Sequence, residues 1–292
     1  MTPHNPRYNS GCHRLHRVLL FAMVLCLLGM ANAAEQAAST ATLPPDLARI
    51  QATGILRVAL THADYPPFYE RQAGGLRGLD IDLAHDVARR LGVDVQFNRE
   101  ASSWDDIVAV IAARKADVAI AALSRSLPRA QRVAYTQPYL TLPQALLVNR
   151  LKLAGLAGEG EPLVRLNNPA VRIGTLRGSS YVNFAKAAFP AAQVEVYDQW
   201  SNAVNALVSG RIHAVMFDAL LCKRTLLARP ELALQLQMVV TQRPDPIAMA
   251  VNWRDREWVQ WLNVYIDTIR GDGYLQALEA KYIGPGVRHA EH

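Results

Sequence analysis

Two nearly continuous apolar runs, Asp117 to Leu123 and Ile212 to Phe217, constrain the fold of this chain most strongly. A strand with one face in solvent alternates polar and apolar residues. A strand that is apolar on both sides must be covered on both, as parallel strands are between two layers of helix. Each run follows a segment with helical spacing. Before the first, Ser102 or Ser103 can cap a helix whose Ile107, Val108 and Ile111 face inward. Before the second, Ser201 to Ser209 reads as a helix ended by Gly210. Further strands are predicted at Ile55 to Leu60, Val93 to Phe97, Val171 to Thr175 and Val194 to Tyr197. Helices are predicted at Asp80 to Leu91, stopped by Gly92, and at Ser179 to Ala188. Pro128 suits a first helical turn. This alternation predicts an α/β fold with right-handed crossovers.

The two runs belong to a longer internal similarity. At an offset of 96 residues, Trp104 meets Trp200, Val108 meets Val204 and Ile111 meets Leu207. The following turn aligns Arg114-Lys115 with Gly210-Arg211. Any two βαβ segments can be slid into such register, but two similar lobes would also produce it. A ligand held between such lobes would lie at the carboxyl ends of the strands, where loops from both sides meet. Lys152 to Asn168, with three Gly and a Pro, reads as a surface connection between the two series.

The first 33 residues read as an address. Arg7, Arg14 and Arg17 precede an uncharged run from Val18 to Met30, and Ala31-Asn32-Ala33 follows it. This is the three-part secretory pattern, with cleavage predicted after Ala33. Thirteen residues are too few to span a bilayer core, which takes roughly 20 in a helix. Cleavage removes three arginines and no acid, leaving 28 basic residues against 25 acidic ones. Two of the three cysteines leave as well, so Cys222 has no intramolecular partner and reads as a buried thiol among Ala219, Leu220 and Leu221. The remaining basic residues are scattered, without a stripe of Arg and aromatics, so no nucleic-acid partner is expected. There is no G-x-G-x-x-G, no G-x-x-x-x-G-K, no G-x-S-x-G and no H-E-x-x-H. No metal, no cofactor and no catalytic residue is assigned.

Several stretches, in order, resemble the bacterial extracellular solute-binding proteins that serve polar amino acid uptake by ABC transporters. They are Gly54 to Ala59 followed by Tyr65-Pro66-Pro67-Phe68, then Gly78-Leu79-Asp80-Ile81-Asp82, and Trp104 through Ile120. Next come Ser124 to Arg129, Tyr135 to Tyr139, Gly178-Ser179, Gly210-Arg211 through Asp218, and Asp272-Gly273 through Tyr282. Together they cover about residues 54–284. The resemblance implies a type II two-lobed clamshell, each lobe a mostly parallel sheet flanked by helices, with two hinge strands. Carried over, residues 1–33 are the signal peptide and 34–50 a flexible lead-in. Residues 51–142 with 248–286 form lobe 1, 143–247 form lobe 2, and 287–292 are a tail. Gln144 to Val148 and Ile247 to Val251 look like the crossing strands.

The resemblance also implies roles. Arg129 would hold a ligand carboxylate with its fork of donors, helped by backbone N–H groups at Ser179 and Ser180. Asp218 would hold the α-amino group, with Ser124 and the Ala122 carbonyl as further acceptors. Tyr65 and Trp104 would sandwich the ligand's side chain. From the residues alone, Arg129 could instead be an exposed cation, Asp218 a helix cap, and the two aromatics core. His62 stands where members that bind basic or amide side chains carry an Asp, which disfavours strongly basic ligands. The function implied is a monomeric periplasmic protein that captures an amino acid or similar small carboxylate and delivers it to a membrane ABC permease, without catalysis. Two alternatives stay open. One is a secreted cyclohexadienyl dehydratase-like enzyme on the same fold, with His62 the candidate proton carrier. The other is a ligand-sensing or accessory subunit of a membrane partner.

Overall fold

The computed structural model describes residues 43–156 and 160–284. The expected signal peptide and cleavage site, most of the expected lead-in and the expected tail lie outside the described residues. From Pro45 onward the described chain is one unit. Its strands are β1 (Ile55–Thr61), β2 (Glu70–Gln72), β3 (Gly75–Arg77), β4 (Asp94–Ala101), β5 (Val118–Ala119), β6 (Val133–Asn149), β7 (Arg172–Leu176), β8 (Gln193–Tyr197), β9 (Ala214–Asp218) and β10 (Leu236–Asn252).

Eight strands form one sheet in the order β4-β1-β5-β10-β6-β9-β7-β8, and β2 pairs with β3 in a separate hairpin. β4, β1 and β5 are mutually parallel, and so are β9, β7 and β8. Between these two trios run β6 and β10, each 17 residues long and antiparallel to one another. Ala250 of β10 pairs with Ala119 of β5, while Gln144 to Val148 of β6 pair with β9. The two long strands thus carry the chain from one trio to the other. Their mutual register slips between Val240 and Pro244 and again on either side of Ala248. Pro143, Pro244 and Pro246 interrupt the ladder there, because a proline has no N–H to give it.

The apolar runs are buried on both faces, as their composition requires. Along β9, Ala214 and Met216 join one apolar cluster, whereas Val215 between them joins a second that contains Ala203, Val204 and Cys222. All three strand residues are fully buried. The repeat is also physical. Trp104–Ala112 and Trp200–Val208 are both nine-residue helices, one leading to each trio. The aligned turn residues Arg114 and Gly210 share the left-handed backbone conformation, with φ of 57° and 71°.

Three elements differ from expectation. The first apolar run forms a ladder only at Val118 and Ala119; Ile120 to Leu123 stay buried outside it, and the chain meets β10 again at a bridge between Ser124 and Ile247. Between them Ala122, with a φ of 46°, turns the chain. The second is a helix, Pro45–Thr53, that occupies what the sequence suggested as lead-in. Leu47 and Ile50 are buried, and Asp46 accepts the Trp258 backbone N–H at 2.8 Å. The third lies in the surface connection, which contains two short helices, Arg150–Ala154 and Pro162–Leu166.

Candidate functional site

The loop after β1 carries Tyr65, and the turn into the helix Leu79–Leu91 pins it. Leu79 and Asp80 donate their backbone N–H groups to the Pro67 and Phe68 carbonyls, both at 3.0 Å. Gly78 makes that approach possible: its φ is 141°, and a Cβ there would collide with the Phe68 carbonyl. Tyr65 is thereby fixed against Phe68, with ring centroids 5.3 Å apart, and edge-on to Trp104 at 5.2 Å. Trp104 is held in turn by its indole N–H, which donates to the Ala121 carbonyl at 3.0 Å.

The chain leaving β5 supplies Ala122 and Ser124. Asp80, fully buried, accepts the Ala122 N–H at 2.6 Å and the Tyr139 hydroxyl at 2.8 Å. It therefore fastens Ala122 in its left-handed conformation. Ser124 donates its hydroxyl to Asp245 Oδ2 at 2.9 Å. Arg129 lies in the short helix Leu127–Ala130 and is buried. Its guanidinium donates to Asp105 Oδ1 at 2.8 Å, to the Gly178 carbonyl at 3.0 Å and to the Ser124 carbonyl at 3.3 Å. Arg129 is thus not the exposed cation that composition alone allowed.

The second trio meets these groups from β7 and β9. The turn after β7 brings Ser179, whose hydroxyl donates to the Leu176 carbonyl at 2.7 Å, and Ser180, whose buried Oγ has no hydrogen-bond partner. Asp218 ends β9. One of its oxygens accepts the Leu221 N–H at 2.9 Å and caps the helix Ala219–Ala228; the other accepts the Tyr65 hydroxyl. It is therefore a helix cap and a cavity group at once. Burial pushes its carboxyl up, against the pull of those two donors. Burial and the neighbouring Asp218 push the Tyr65 phenol well up, so it remains a donor at neutral pH.

Tyr65, Trp104, Ala122, Ser124, Arg129, Ser179, Ser180 and Asp218 all line one cavity. Eight of the nine residues singled out from the sequence are thus brought together across some 150 residues of chain. His62 is not among them. It is exposed, its backbone N–H donates to the Ala101 carbonyl at 2.7 Å, and its Nδ1 sits 3.3 Å from the same oxygen. The free space measures about 10 Å³, about what one water needs. Tyr65 bonds Asp218 and Arg129 bonds the Gly178 carbonyl across it, so a molecule larger than water can enter only if the two sides part.

Sequence reasoning missed other lining residues, chiefly Tyr181, Phe217 and Asp245. Phe217 stacks on Tyr181 at 4.4 Å, and it touches both aligned tryptophans, Trp104 at 5.7 Å and Trp200 at 5.8 Å. It had been legible only as strand interior. Asp245 lies in β10 between Pro244 and Pro246. Its Oδ2 accepts from Ser124 and, at 3.0 Å, from the Tyr181 hydroxyl, while its Oδ1 is buried without a partner. Burial, reinforced by Asp218, pushes this carboxyl up to about 7 despite those donors. An acid flanked by two prolines, just before the apolar stretch Ile247 to Val251, was the one signal available for it.

This architecture is that of a solute-binding protein. The model of the bacterial extracellular solute-binding proteins, family 3, matches residues 56–285, and the chain belongs to that family. It is 28% identical to the cyclohexadienyl dehydratase of Pseudomonas aeruginosa over 73% of this chain and 75% of that protein. It is 25% identical to the L-cystine-binding protein TcyJ of Escherichia coli K12 over 82% of this chain and 87% of that one. Among solved structures it resembles the ancestral amino acid-binding protein AncCDT-1, a precursor of cyclohexadienyl dehydratase. The TM-score is 0.67 at 28% identity, covering 81% of this chain and 98% of that one. The resemblance read from the sequence motifs is thus borne out at the level of family and fold.

Proposed function

We propose that the protein binds an α-amino acid or a closely related small carboxylate in the periplasm, as a monomer, and hands it to an ABC permease. Residues 51–142 with 248–286 would form one lobe and 143–247 the other, hinged where β6 and β10 cross between the trios. One observation carries this reading: a buried guanidinium, Arg129, and a buried carboxylate, Asp218, line one cavity with four aromatic rings. A zwitterion needs both charges matched at once, and desolvated groups match it best. On opening, Arg129 would exchange Asp105 for the ligand carboxylate, and Asp218 would exchange the Tyr65 hydroxyl for the ligand ammonium. Ligand would then shift the open–closed equilibrium. A thermal-shift screen over amino acids, opines and small carboxylates tests the proposal. A ligand at about a hundred times its Kd should raise the melting temperature by roughly 5 °C or more. No shift with any of them would reject it.

A second reading is catalysis on the same scaffold, since one relative is a dehydratase. Asp245, a buried carboxyl with its affinity for protons raised to about 7, could move a proton at a leaving hydroxyl, which His62 cannot reach from the surface. Mixing the protein with prephenate and following phenylpyruvate absorbance separates the two readings; turnover would favour the enzyme.

A further inference from the structure

Asp245 has no part in recognising a simple zwitterion. If Arg129 takes the carboxylate and Asp218 the ammonium, the cavity retains a second acid. Its side chain is 1% exposed, and Oδ2 already holds the Ser124 and Tyr181 hydroxyls at 2.9 and 3.0 Å. Oδ1 is equally buried and has no partner. A buried acceptor left unpaired costs free energy, so groups of this kind are usually paired in native proteins. The other lining atom without a partner is Ser180 Oγ, a hydroxyl that can accept as well as donate. Among the described lining residues, then, the acceptor left in need of a donor is Asp245 Oδ1. The charges point the same way, since two carboxylates, Asp218 and Asp245, face one guanidinium. An ammonium group supplies three N–H donors and a positive charge.

On the reading of this cavity as an amino acid site, we infer that Asp245 is a specificity-determining residue that receives a second amino group of the ligand, so that the cavity selects diamino acids over neutral ones. Asp245 thereby supplies, from β10, the acid that position 62 lacks. The expectation that strongly basic ligands are disfavoured rested on His62, and His62 stands outside the cavity.

The test is isothermal titration of the whole secreted chain at pH 8 with two series matched in length. One is L-2,3-diaminopropionate, L-2,4-diaminobutyrate, L-ornithine and L-lysine. The other is L-alanine, L-2-aminobutyrate, L-norvaline and L-norleucine, with L-glutamate added. At least one diamino acid should bind tenfold or more tighter than its neutral counterpart, since a hydrogen bond to a charged group is worth about that or more. Asp245→Asn, nearly isosteric, should abolish most of that ratio. Should that variant not fold, the wild-type ratio and its loss in Asp245→Ser, which keeps a polar group but no charge, carry the test. Equal affinities for the two series, tightest binding of glutamate, or an unchanged ratio in the variants would overturn the inference and leave the amino acid reading standing. Failure of every amino acid to bind the wild type would overturn both.

Discussion

At the scale of single residues, the site depends on Asp80, which never touches the cavity. Its carboxyl fastens Ala122 in a conformation that a residue with a Cβ adopts only at a cost. Burial pushes the Asp80 carboxyl up to about 7, from 3.8. Between those values the folded chain keeps the proton that the unfolded chain has released, so stability falls as pH rises through that window. Asp80→Asn has no such titration. The stability of wild type relative to the variant should therefore decline by about 3 kcal/mol between pH 4 and pH 7. Urea unfolding of both proteins at several pH values measures this, and a constant difference would remove Asp80 from the argument. Residue identity was legible where chemistry is unusual for its place. Arg129 and Asp218 stood out on motif and on position after an apolar strand, and the structure gathers both. Asp245 did not, because its burial comes from a long-range pairing of β10 with β6 that no local pattern announces.

At the scale of elements, the helix–turn–strand unit is the piece the sequence displayed most clearly. Its two copies share length, a leading tryptophan and a left-handed turn residue. The true ends of the first apolar run were not readable, since the run is apolar both inside and outside the ladder. The helix Pro45–Thr53 was missed because only Leu47 and Ile50 mark its buried face, within a short segment beginning at Pro44-Pro45. The connection between the Tyr65 loop and the helix Leu79–Leu91 gives a sharp prediction. Gly78→Ala places a methyl group against the Phe68 carbonyl in a backbone conformation foreign to alanine. It should cost about 3 kcal/mol or more, read as a lower urea midpoint. A loss under 1 kcal/mol would show that the loop yields easily.

At the scale of the whole molecule, an ionic network ties the helix Pro45–Thr53 to the sheet. Asp117 accepts from Arg49 and Arg57, and Asp255 accepts from Arg114 and, more distantly, Arg49. These bonds hold the Asp117 carboxyl below its ordinary value in spite of its burial. A depressed carboxyl stabilises above its unfolded value, and that contribution is lost as pH falls through the folded one. Asp117→Asn should accordingly cost about 2 kcal/mol at pH 7, discounted because both arginines are partly exposed. The cost should shrink below pH 4. A difference that persists undiminished in acid would assign it to packing. The two parallel trios and the crossing strands were foreseeable from the order of motifs, but the narrowness of the cavity was not. That narrowness comes from side chains reaching across it, Tyr65 to Asp218 and Arg129 to the Gly178 carbonyl. The decisive measurement is the affinity of wild type and Arg129→Ala for the best ligand of the amino acid screen, by isothermal titration. The prediction is one saturable site per chain in the wild type and a loss of about a hundredfold or more in the variant, with folding retained. Equal affinities in the two proteins would contradict the assignment of Arg129 as the carboxylate partner and, with it, the zwitterion site.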